Sequence, residues 1–370
     1  MTASLGAGEA RLPQIPLFDL VLTSEDLDAV AGAIRAGIAT LGPRTEAFEK
    51  AFAAHLGVRH VVAVSNCTSA LHLACLAAGV GPGDEVLVPT YTFVATANAV
   101  LYCGARPVFV DSIGRENPSV DPSDVERKIS SKTKAVMAVH FGGYPAPVDA
   151  LRELCDERGV ALIEDAAHAP SAELAGRKLG TFGLVATFSF FSNKVLAVGE
   201  GGALVTNDDH VAALARKLRL PWAGGFGYVI DEARSALAIS RLERLDRDVH
   251  ARRRVTSLYR QRLGEIEGIV LPFARDEVDQ SSCYVMPIMV RDPTRRDPLR
   301  RVMKESYGIQ TSLLYPPIHL FTAYRKRYPG VSLPRAELAS RSEVTIPLFP
   351  QITDAQLDRV VAAIAEEFGR

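Results

Sequence analysis

The sequence predicts an α/β protein built on an open, largely parallel β-sheet. Short β-branched runs alternate with helical stretches between residues 60 and 164, and the connections between them are short. The chain of 370 residues is longer than one compact core usually needs. Its content of 48% hydrophobic and 23% charged residues is typical of a globular protein. We therefore expect one large domain and one smaller domain.

The first half of the chain supplies the predicted sheet. Two helices come first, at residues 24–34 and 45–56, with a turn at Gly42-Pro43. The expected strands are residues 60–64, 85–88, 107–111, 134–140 and 160–164. The expected helices between them are residues 69–78, with Thr68 as the cap, 93–102, a helix starting at Asp121-Pro122, and 147–158.

The second half reads as a smaller domain. Residues 231–266 form one or two long helices, and residues 354–368 form a capped terminal helix. Between them we expect strands at residues 284–290 and 309–314 and a helix at residues 298–307. We assign residues 1–250 to the large domain and residues 251–370 to a small C-terminal α+β domain.

Composition excludes several classes of protein. The formal net charge of -1 gives no electrostatic basis for binding nucleic acid, so the arginine clusters at residues 241–244 and 252–254 are expected to form a solvated helix face. No apolar run approaches the ~20 residues of a membrane span. Residues 1–14 do not read as a signal peptide, and the five scattered cysteines suit reduced thiols. We expect a cytoplasmic protein without a metal site.

The ends of the predicted strands carry the chemistry, because ligands of open parallel sheets bind there. Residues 65–68 lie at the start of a helix and have two interpretations. Their free N–H groups bind a phosphate, or the segment is a plain helix cap. Phe93 follows another strand and has two interpretations. Its ring stacks on a flat ligand, or it packs in the hydrophobic core. Asp165 follows the apolar residues 160–163; its carboxylate holds a protonated ring nitrogen, or caps the next turn.

One lysine stands out in the aromatic stretch of residues 188–194. Lys194 ends this stretch and is followed by the glycine-rich residues 199–202. A buried lysine with a lowered pKa is a nucleophilic amine that forms Schiff bases with carbonyls, whereas most lysines at strand ends simply reach solvent.

The order of these features favours the chemical interpretation. A phosphate site at a helix start, an aromatic ring, a strand-end aspartate, and Ser189 five positions before Lys194 are what pyridoxal phosphate requires. A nicotinamide enzyme is disfavoured, since no G-x-G-x-x-G follows the first strand.

Long segments of the chain resemble one known family. The segments SNCTSALHL, LIEDAAHAPSAE, FSFFSNK, GEGGALVTND, YPPIH and SEVTIPLFPQIT, in this order, are similar to those of the DegT/DnrJ/EryC1/StrS sugar aminotransferases. The resemblance covers nearly the whole chain. It implies the type I fold of pyridoxal-phosphate-dependent transferases, a homodimer, and pyridoxal 5'-phosphate as cofactor.

The resemblance also implies roles for single residues. Lys194 would hold the cofactor and move a proton between its C4′ and the substrate Cα, while Asp165 would pair with the pyridinium nitrogen. The other implied cofactor contacts are His168 near the 3′-oxygen, Phe93 on the ring, and Cys67, Thr68 and Ser189 at the phosphate. Tyr315 and His319 would border the substrate cleft.

Three positions depart from the family pattern. Gly227 stands where the family carries an Asn that reaches the neighbouring subunit's phosphate, Val229 stands where it carries Arg, and Val195 replaces an Asn. The segment before Gly225 is also short. Loss of a hydrogen bond to a charged phosphate costs roughly 1.5–3 kcal/mol, so weaker or differently braced cofactor binding is expected.

The leading hypothesis is an aminotransferase that moves nitrogen from L-glutamate or L-glutamine to a keto sugar, nucleotide-linked, in the synthesis of amino sugars for antibiotics or surface glycans. One alternative is a non-catalytic or regulatory member that pairs with an active homologue. Another is an aminotransferase for a cyclitol or a ketone without a nucleotide. Relatives with histidine in place of Lys194 are dehydratases, and the lysine argues against that branch.

Overall fold

The computed structural model describes residues 13–369 of the chain, so residues 1–12, on which most of the signal-peptide interpretation rests, lie outside the described range. The described chain contains twelve strands: β1 His60–Val64, β2 Glu85–Pro89, β3 Arg106–Val110, β4 Thr133–Val139, β5 Ala161–Asp165, β6 Glu173–Leu174, β7 Arg177–Lys178, β8 Val185–Ser189, β9 Gly202–Thr206, β10 Ile269–Val270, β11 Met286–Val290 and β12 Glu343–Ile346.

Thirteen α-helices are formed within the same residues. They are α1 Ser24–Arg35, α2 Pro43–Leu56, α3 Cys67–Ala77, α4 Ala95–Tyr102, α5 Pro122–Lys128, α6 Val148–Arg158, α7 Asp209–Arg219, α8 Glu232–Leu242, α9 Leu245–Leu263, α10 Arg296–Glu305, α11 Thr322–Arg327, α12 Pro334–Ser342 and α13 Asp354–Phe368. None of these helices has the length and apolarity that a membrane crossing requires.

Seven strands form the large sheet, in the order β1-β9-β8-β5-β4-β2-β3. Strands β3, β2, β4, β5 and β8 are mutually parallel, whereas β9 runs antiparallel to both β8 and β1. The strands are buried almost throughout, which explains their continuous apolar runs. The predicted α/β class with a largely parallel sheet is confirmed. The carboxyl ends of β2, β4, β5 and β8 therefore meet at one edge.

The predicted cap of α3 is wrong by two residues. The helix starts at Cys67, and the Asn66 side chain accepts the hydrogen bond from Ser69 N–H at 2.9 Å. Thr68 consequently lies inside the first turn of the helix. An Asn cap satisfies the exposed N–H groups as well as a Thr cap does, so the local pattern did not discriminate between them.

A smaller antiparallel sheet, in the order β10-β11-β12, lies in the second half of the chain. The predicted strand at residues 309–314 does not form. Only isolated bridges occur, Ile309 with Ile15 and Ser312 with Thr345, and the Leu314 N–H donates instead to the Glu343 carboxylate at 2.6 Å. A side chain thus takes the place of the ladder partner. The predicted domain boundary at residue 250 falls within α9, and the division into two domains stays a prediction.

The predicted solvated face of arginines is wrong for most of its members. Arg241 on α8 is 7% exposed and Arg252 on α9 is 5% exposed, while Arg244 forms a salt bridge with the buried Asp26. Arg254 is exposed, as expected. Val21 and Asp26 cover Arg241 and Arg244, and the carbonyls of residues 283, 284 and 348 surround Arg252. The periodicity of α8 and α9 alone does not indicate these contacts.

Candidate active site

The carboxyl edge of the large sheet opens into a cavity of about 380 Å³. The predicted residues that line it are Cys67, Thr68, Phe93, Asp165, His168, Ser189, Lys194 and Tyr315. They come from the ends of β1, β2, β5 and β8 and from the loop after α10. The fold thus brings together eight of the nine residues that were singled out in the sequence.

His319 is the exception. It is not among the residues that line the cavity, and its buried ring lies between Thr90 Oγ1, 2.7 Å from Nδ1, and Glu337 Oε1, 3.3 Å from Nε2. Burial lowers its pKa, with Glu337 acting in the opposite direction. These contacts join the segment after Tyr315 to the end of β2, so the geometry gives His319 a role in packing and none in the cavity.

Asp165 ends β5 and is 5% exposed. Its Oδ2 accepts a hydrogen bond from the Thr96 hydroxyl at 2.9 Å, and its Oδ1 accepts one from Ala167 N–H at 3.2 Å. Burial raises its pKa, and these two donors together with Lys194 counteract that rise. A buried carboxylate with a cavity on one side is suited to receive a cationic N–H group.

Lys194 is held by a tight turn anchored in an aromatic core. Phe190 precedes the turn and packs edge-on against Phe48 and Phe52, with ring centroids 5.3 and 5.6 Å away. The Lys194 N–H then donates to Phe191 O at 2.8 Å. The buried Phe190 and this turn therefore place the lysine at the cavity edge.

The Lys194 ammonium lies in an unusual environment. Its Nζ is 4.4 Å from the centroid of the Tyr284 ring. Burial lowers the pKa of Lys194 to about 8, although Cys67 and Asp165 act in the opposite direction. A sizeable neutral fraction near neutral pH is the property a nucleophile and proton acceptor requires.

The start of α3 faces the same cavity, next to Ser189. The close approach depends on Gly202 in β9, where a Cβ atom would lie 2.6 Å from Cys67 N and 2.5 Å from Asn66 C. The eleven-residue helix directs its positive end and free N–H groups to this corner. The Cys67 thiol stays protonated, because burial raises its pKa. The corner therefore fits a phosphate group.

Aromatic rings form the remaining wall. His168 stacks on Tyr284 with ring centroids 4.3 Å apart, and its Nδ1 accepts the Gly142 N–H at 3.3 Å. Its Nε2 lies 3.5 Å from the Tyr315 hydroxyl. Burial holds the pKa of His168 well below its usual range, so the ring is neutral. Phe93 remains 51% exposed and lies 5.5 Å from the Tyr315 ring, which leaves its face free for a flat ligand.

Two further residues belong to the site and were missed in the sequence. Thr96 stands one residue into α4, and Tyr284 precedes β11 by two residues. Thr96 is a hydroxyl residue in the first turn of a helix that follows the strand end at Pro89, which was a usable signal. Tyr284 comes from the second half of the chain and carried no local signal.

Known proteins resemble the chain over almost its full length. The sequence profile of the DegT/DnrJ/EryC1/StrS aminotransferase family matches residues 21–365. A Vibrio cholerae GDP-perosamine synthase is 34% identical, covering 96% of this chain and 99% of the relative. The structure of S. venezuelae DesV is 37% identical, with a TM-score of 0.91, and covers 97% of this chain and 99% of that one. DesI, solved in the presence of its TDP-sugar product, is 31% identical with a TM-score of 0.85, covering 94% of this chain and 90% of that one.

Proposed function

The chain belongs to the DegT/DnrJ/EryC1/StrS aminotransferase family, and on that premise we propose that it transfers an amino group from L-glutamate or L-glutamine to the keto group of a nucleotide-linked sugar. It is a pyridoxal-phosphate-dependent aminotransferase. The observation that carries the proposal is the placement of Lys194 and Asp165 on one cavity that also receives the start of α3.

The residues of the cavity fit pyridoxal phosphate. A helix start for an anion, a buried carboxylate for a ring nitrogen, a half-exposed aromatic face and a lysine amine all border one space of about 380 Å³. When bound, the cofactor supplies an electron sink that makes the proton on the substrate's reacting carbon removable. The protein's own groups must then hold the ring, keep its nitrogen protonated and move the proton.

Asp165 keeps the ring nitrogen protonated. Its two fixed donors, Thr96 and Ala167, orient the carboxylate toward the cavity and oppose the rise in its pKa that burial causes. A positive ring nitrogen beside it lowers the carboxylate's pKa, which offsets the effect of burial.

Lys194 would hold the cofactor through Nζ and, once released, would accept and return the proton at the same atom. Because its pKa is about 8, both the ammonium and the neutral amine are populated near neutral pH. The Tyr284 ring beneath Nζ restrains its position.

The phosphate end rests on α3. Backbone N–H groups at Cys67 and Thr68, the Thr68 hydroxyl and the Ser189 hydroxyl are the donors at this corner. Phe93 would stack on the ring, and the neutral His168 would offer its Nε2 side to the ring's oxygen. Tyr315 forms the wall toward the substrate.

The sugar substrate is inferred from the relatives' names. The Vibrio cholerae relative is named for a GDP-linked amino sugar, and DesI was solved with its TDP-sugar product. The non-catalytic alternative is disfavoured by the intact Lys194 and Asp165 pair, because a scaffold has no need for a lysine and a buried aspartate that face one cavity. The cyclitol alternative has no observation in its favour.

Two finer points complete the proposal. We propose a homodimer, as the family resemblance implies. We also propose a cytoplasmic location, which the five free cysteines support because reduced thiols persist in that compartment.

The test is an absorbance spectrum of the purified protein with pyridoxal phosphate, before and after L-glutamate. We expect a visible band in the wild-type protein that L-glutamate or L-glutamine moves into the near ultraviolet, followed by recovery when a keto sugar nucleotide is added. Lys194→Ala should lose turnover by at least about 10²–10⁴-fold, while Lys178→Ala, at a partly exposed lysine paired with Glu173, serves as the control. Wild-type turnover in the Lys194→Ala variant would contradict the proposed mechanism.

A further inference from the structure

A second pocket adjoins the active-site cavity on the side of α8 and α9. It has a volume of about 80 Å³ and shares Asn193 and Lys194 with the main cavity. Its opposite wall is built from residues 18–23 and from four arginines, Arg241, Arg244, Arg247 and Arg252, and we call it the arginine pocket.

Two of the four guanidinium groups are buried, and neither donates a hydrogen bond to a carboxylate among residues 13–369. Arg241 donates to Val21 O at 3.3 Å, its distance to the Asp26 carboxylate is 3.9 Å, and its Nε has no partner among the described residues. Arg252 donates to the backbone carbonyls of Cys283, Tyr284 and Leu348, and within residues 13–369 its Nε is also unpartnered. Burial lowers the pKa of Arg252 to about 10.

The acidic side chains nearby do not neutralise this charge. Asp26 is held by Arg244 and by the Ser240 hydroxyl. Asp248 lies 3.8 Å from Arg244 Nε and 3.9 Å from Arg247 Nε, and Asp19 also lines the pocket. Three arginines with little exposure, Arg241, Arg244 and Arg252, thus face the carboxylates of Asp26 and Asp248. Buried positive charge in excess is costly unless a ligand completes the pairing.

The main cavity does not offer a second cationic side chain for an anionic part of the substrate. Among the described residues that line it, Lys194 is the single Lys or Arg, and the cofactor occupies that amine. Yet an amino donor carries carboxylates, and a sugar nucleotide carries a diphosphate. Under the proposed function, on which this inference rests, an anionic part of the substrate requires a cationic group within reach of Lys194.

We propose that the arginine pocket is a subsite for an oxyanion of the substrate, with Arg241 as its main contact and Arg247 at its mouth. The pocket is large enough for one carboxylate or one phosphate group and too small for a sugar ring. A guanidinium matches either group with two parallel hydrogen bonds. The amino donor's carboxylate and the sugar nucleotide's diphosphate are the two sources of this chemistry.

Calorimetric titration of the holoenzyme with glutarate, and separately with inorganic pyrophosphate, distinguishes these sources. We expect one probe to bind the wild-type protein and to lose about tenfold or more in affinity in Arg241→Gln. Arg247→Gln should weaken the same probe by a smaller factor. Arg254→Gln, at an exposed arginine on α9, should leave binding unchanged. If Arg241→Gln weakens only the binding of glutarate, the pocket binds the amino donor. If it weakens only the binding of pyrophosphate, the pocket binds the sugar nucleotide.

Steady-state kinetics supply the second readout. The KM of the matching substrate should rise about tenfold in Arg241→Gln with kcat nearly unchanged, and Arg241→Lys should recover part of the loss. If Arg241→Gln does not fold, Arg247→Gln still tests the pocket, because that side chain is 76% exposed.

Two results overturn the subsite: neither probe binds the wild-type protein, or the probes bind all variants equally. Probe binding needs no turnover. Arginine-dependent binding in a protein that fails the glutamate test would therefore contradict the proposed function and leave the subsite standing.

Discussion

The Thr96 hydroxyl donates a 2.9 Å hydrogen bond to Asp165 Oδ2, across 69 positions of the chain and in a fully buried setting. Only one other donor, Ala167 N–H, reaches this carboxylate among the described residues. The carboxylate at the floor of the cavity is therefore oriented by a single side chain. Its negative charge is what a protonated cofactor ring requires.

Thr96→Val should weaken cofactor binding with little change in fold. Valine keeps the volume but removes the donor, and hydrogen bonds to charged groups contribute about 1.5–3 kcal/mol. We expect about a tenfold or greater rise in the cofactor dissociation constant, measured by titrating cofactor-free protein. Ser119→Ala is the control, because the buried Ser119 hydroxyl has no partner within the described part of the chain. Equal affinities in both variants would contradict a role for Thr96.

The pKa of Lys194 predicts its chemical reactivity. Burial disfavours the ammonium form, so in cofactor-free protein the neutral amine appears as pH rises through about 8. Labelling of Lys194 by acetic anhydride, followed by mass spectrometry, should reach half its maximal rate near that pH. In the urea-unfolded chain, half-maximal labelling should occur at the ordinary lysine pKa of about 10.4. A midpoint in the folded protein equal to that of the unfolded chain would rule out the lowered pKa.

Gly227→Asn should tighten cofactor binding if the family's cross-subunit contact is missing here. Gly227 has a φ of +72°, which Asn tolerates better than most residues, and the nearest atom to an added Cβ lies 3.8 Å away. Restoring an amide donor to the phosphate should lower the dissociation constant by about tenfold. Gly227→Ala carries the same Cβ and backbone strain without the amide. An equal effect of both substitutions would refute the missing contact.

Glu343 should make stability depend on pH. Burial raises its pKa from 4.5 to about 7, so the folded protein retains a proton that the unfolded chain releases. The stabilisation that Glu343 contributes is therefore fully present below pH 4.5 and is lost as pH rises through about 7. The loss is on the order of 2–3 kcal/mol.

Urea unfolding across this pH range measures the effect. Glu343→Gln should flatten the decline, because the amide does not titrate. The exposed Glu305→Gln should leave the decline as it is in the wild-type protein. A wild-type profile without any decline would show that Glu343 is not held protonated.

The local sequence pattern was sufficient to predict several residues of the site. Asp165 and Ser189 end strands, and Lys194 follows one of them, so the rule that ligands bind at the carboxyl ends of parallel strands placed them on one edge. That rule needs only the strands and their direction, which short apolar runs and intervening helices indicate.

Other features depended on contacts between distant segments. Tyr284 reaches His168 and Lys194 from the second half of the chain, and His319 is drawn away from the cavity by Thr90 and Glu337. The missing strand at residues 309–314 has the same origin, since Glu343 takes the Leu314 N–H. Residue type and spacing carry no record of such partners.

The sequence by itself determined the α/β class, the order of strands and helices between residues 60 and 164, and the lysine and aspartate on which the chemistry rests. Tertiary structure decided which charges are buried. Arg241 and Arg244 have the periodicity of a solvated face, yet Val21 and Asp26 contact them, and Arg252 is buried because its guanidinium donates to carbonyls of residues 283, 284 and 348. Helical periodicity describes one helix's own faces, whereas burial depends on what a distant segment lays against them.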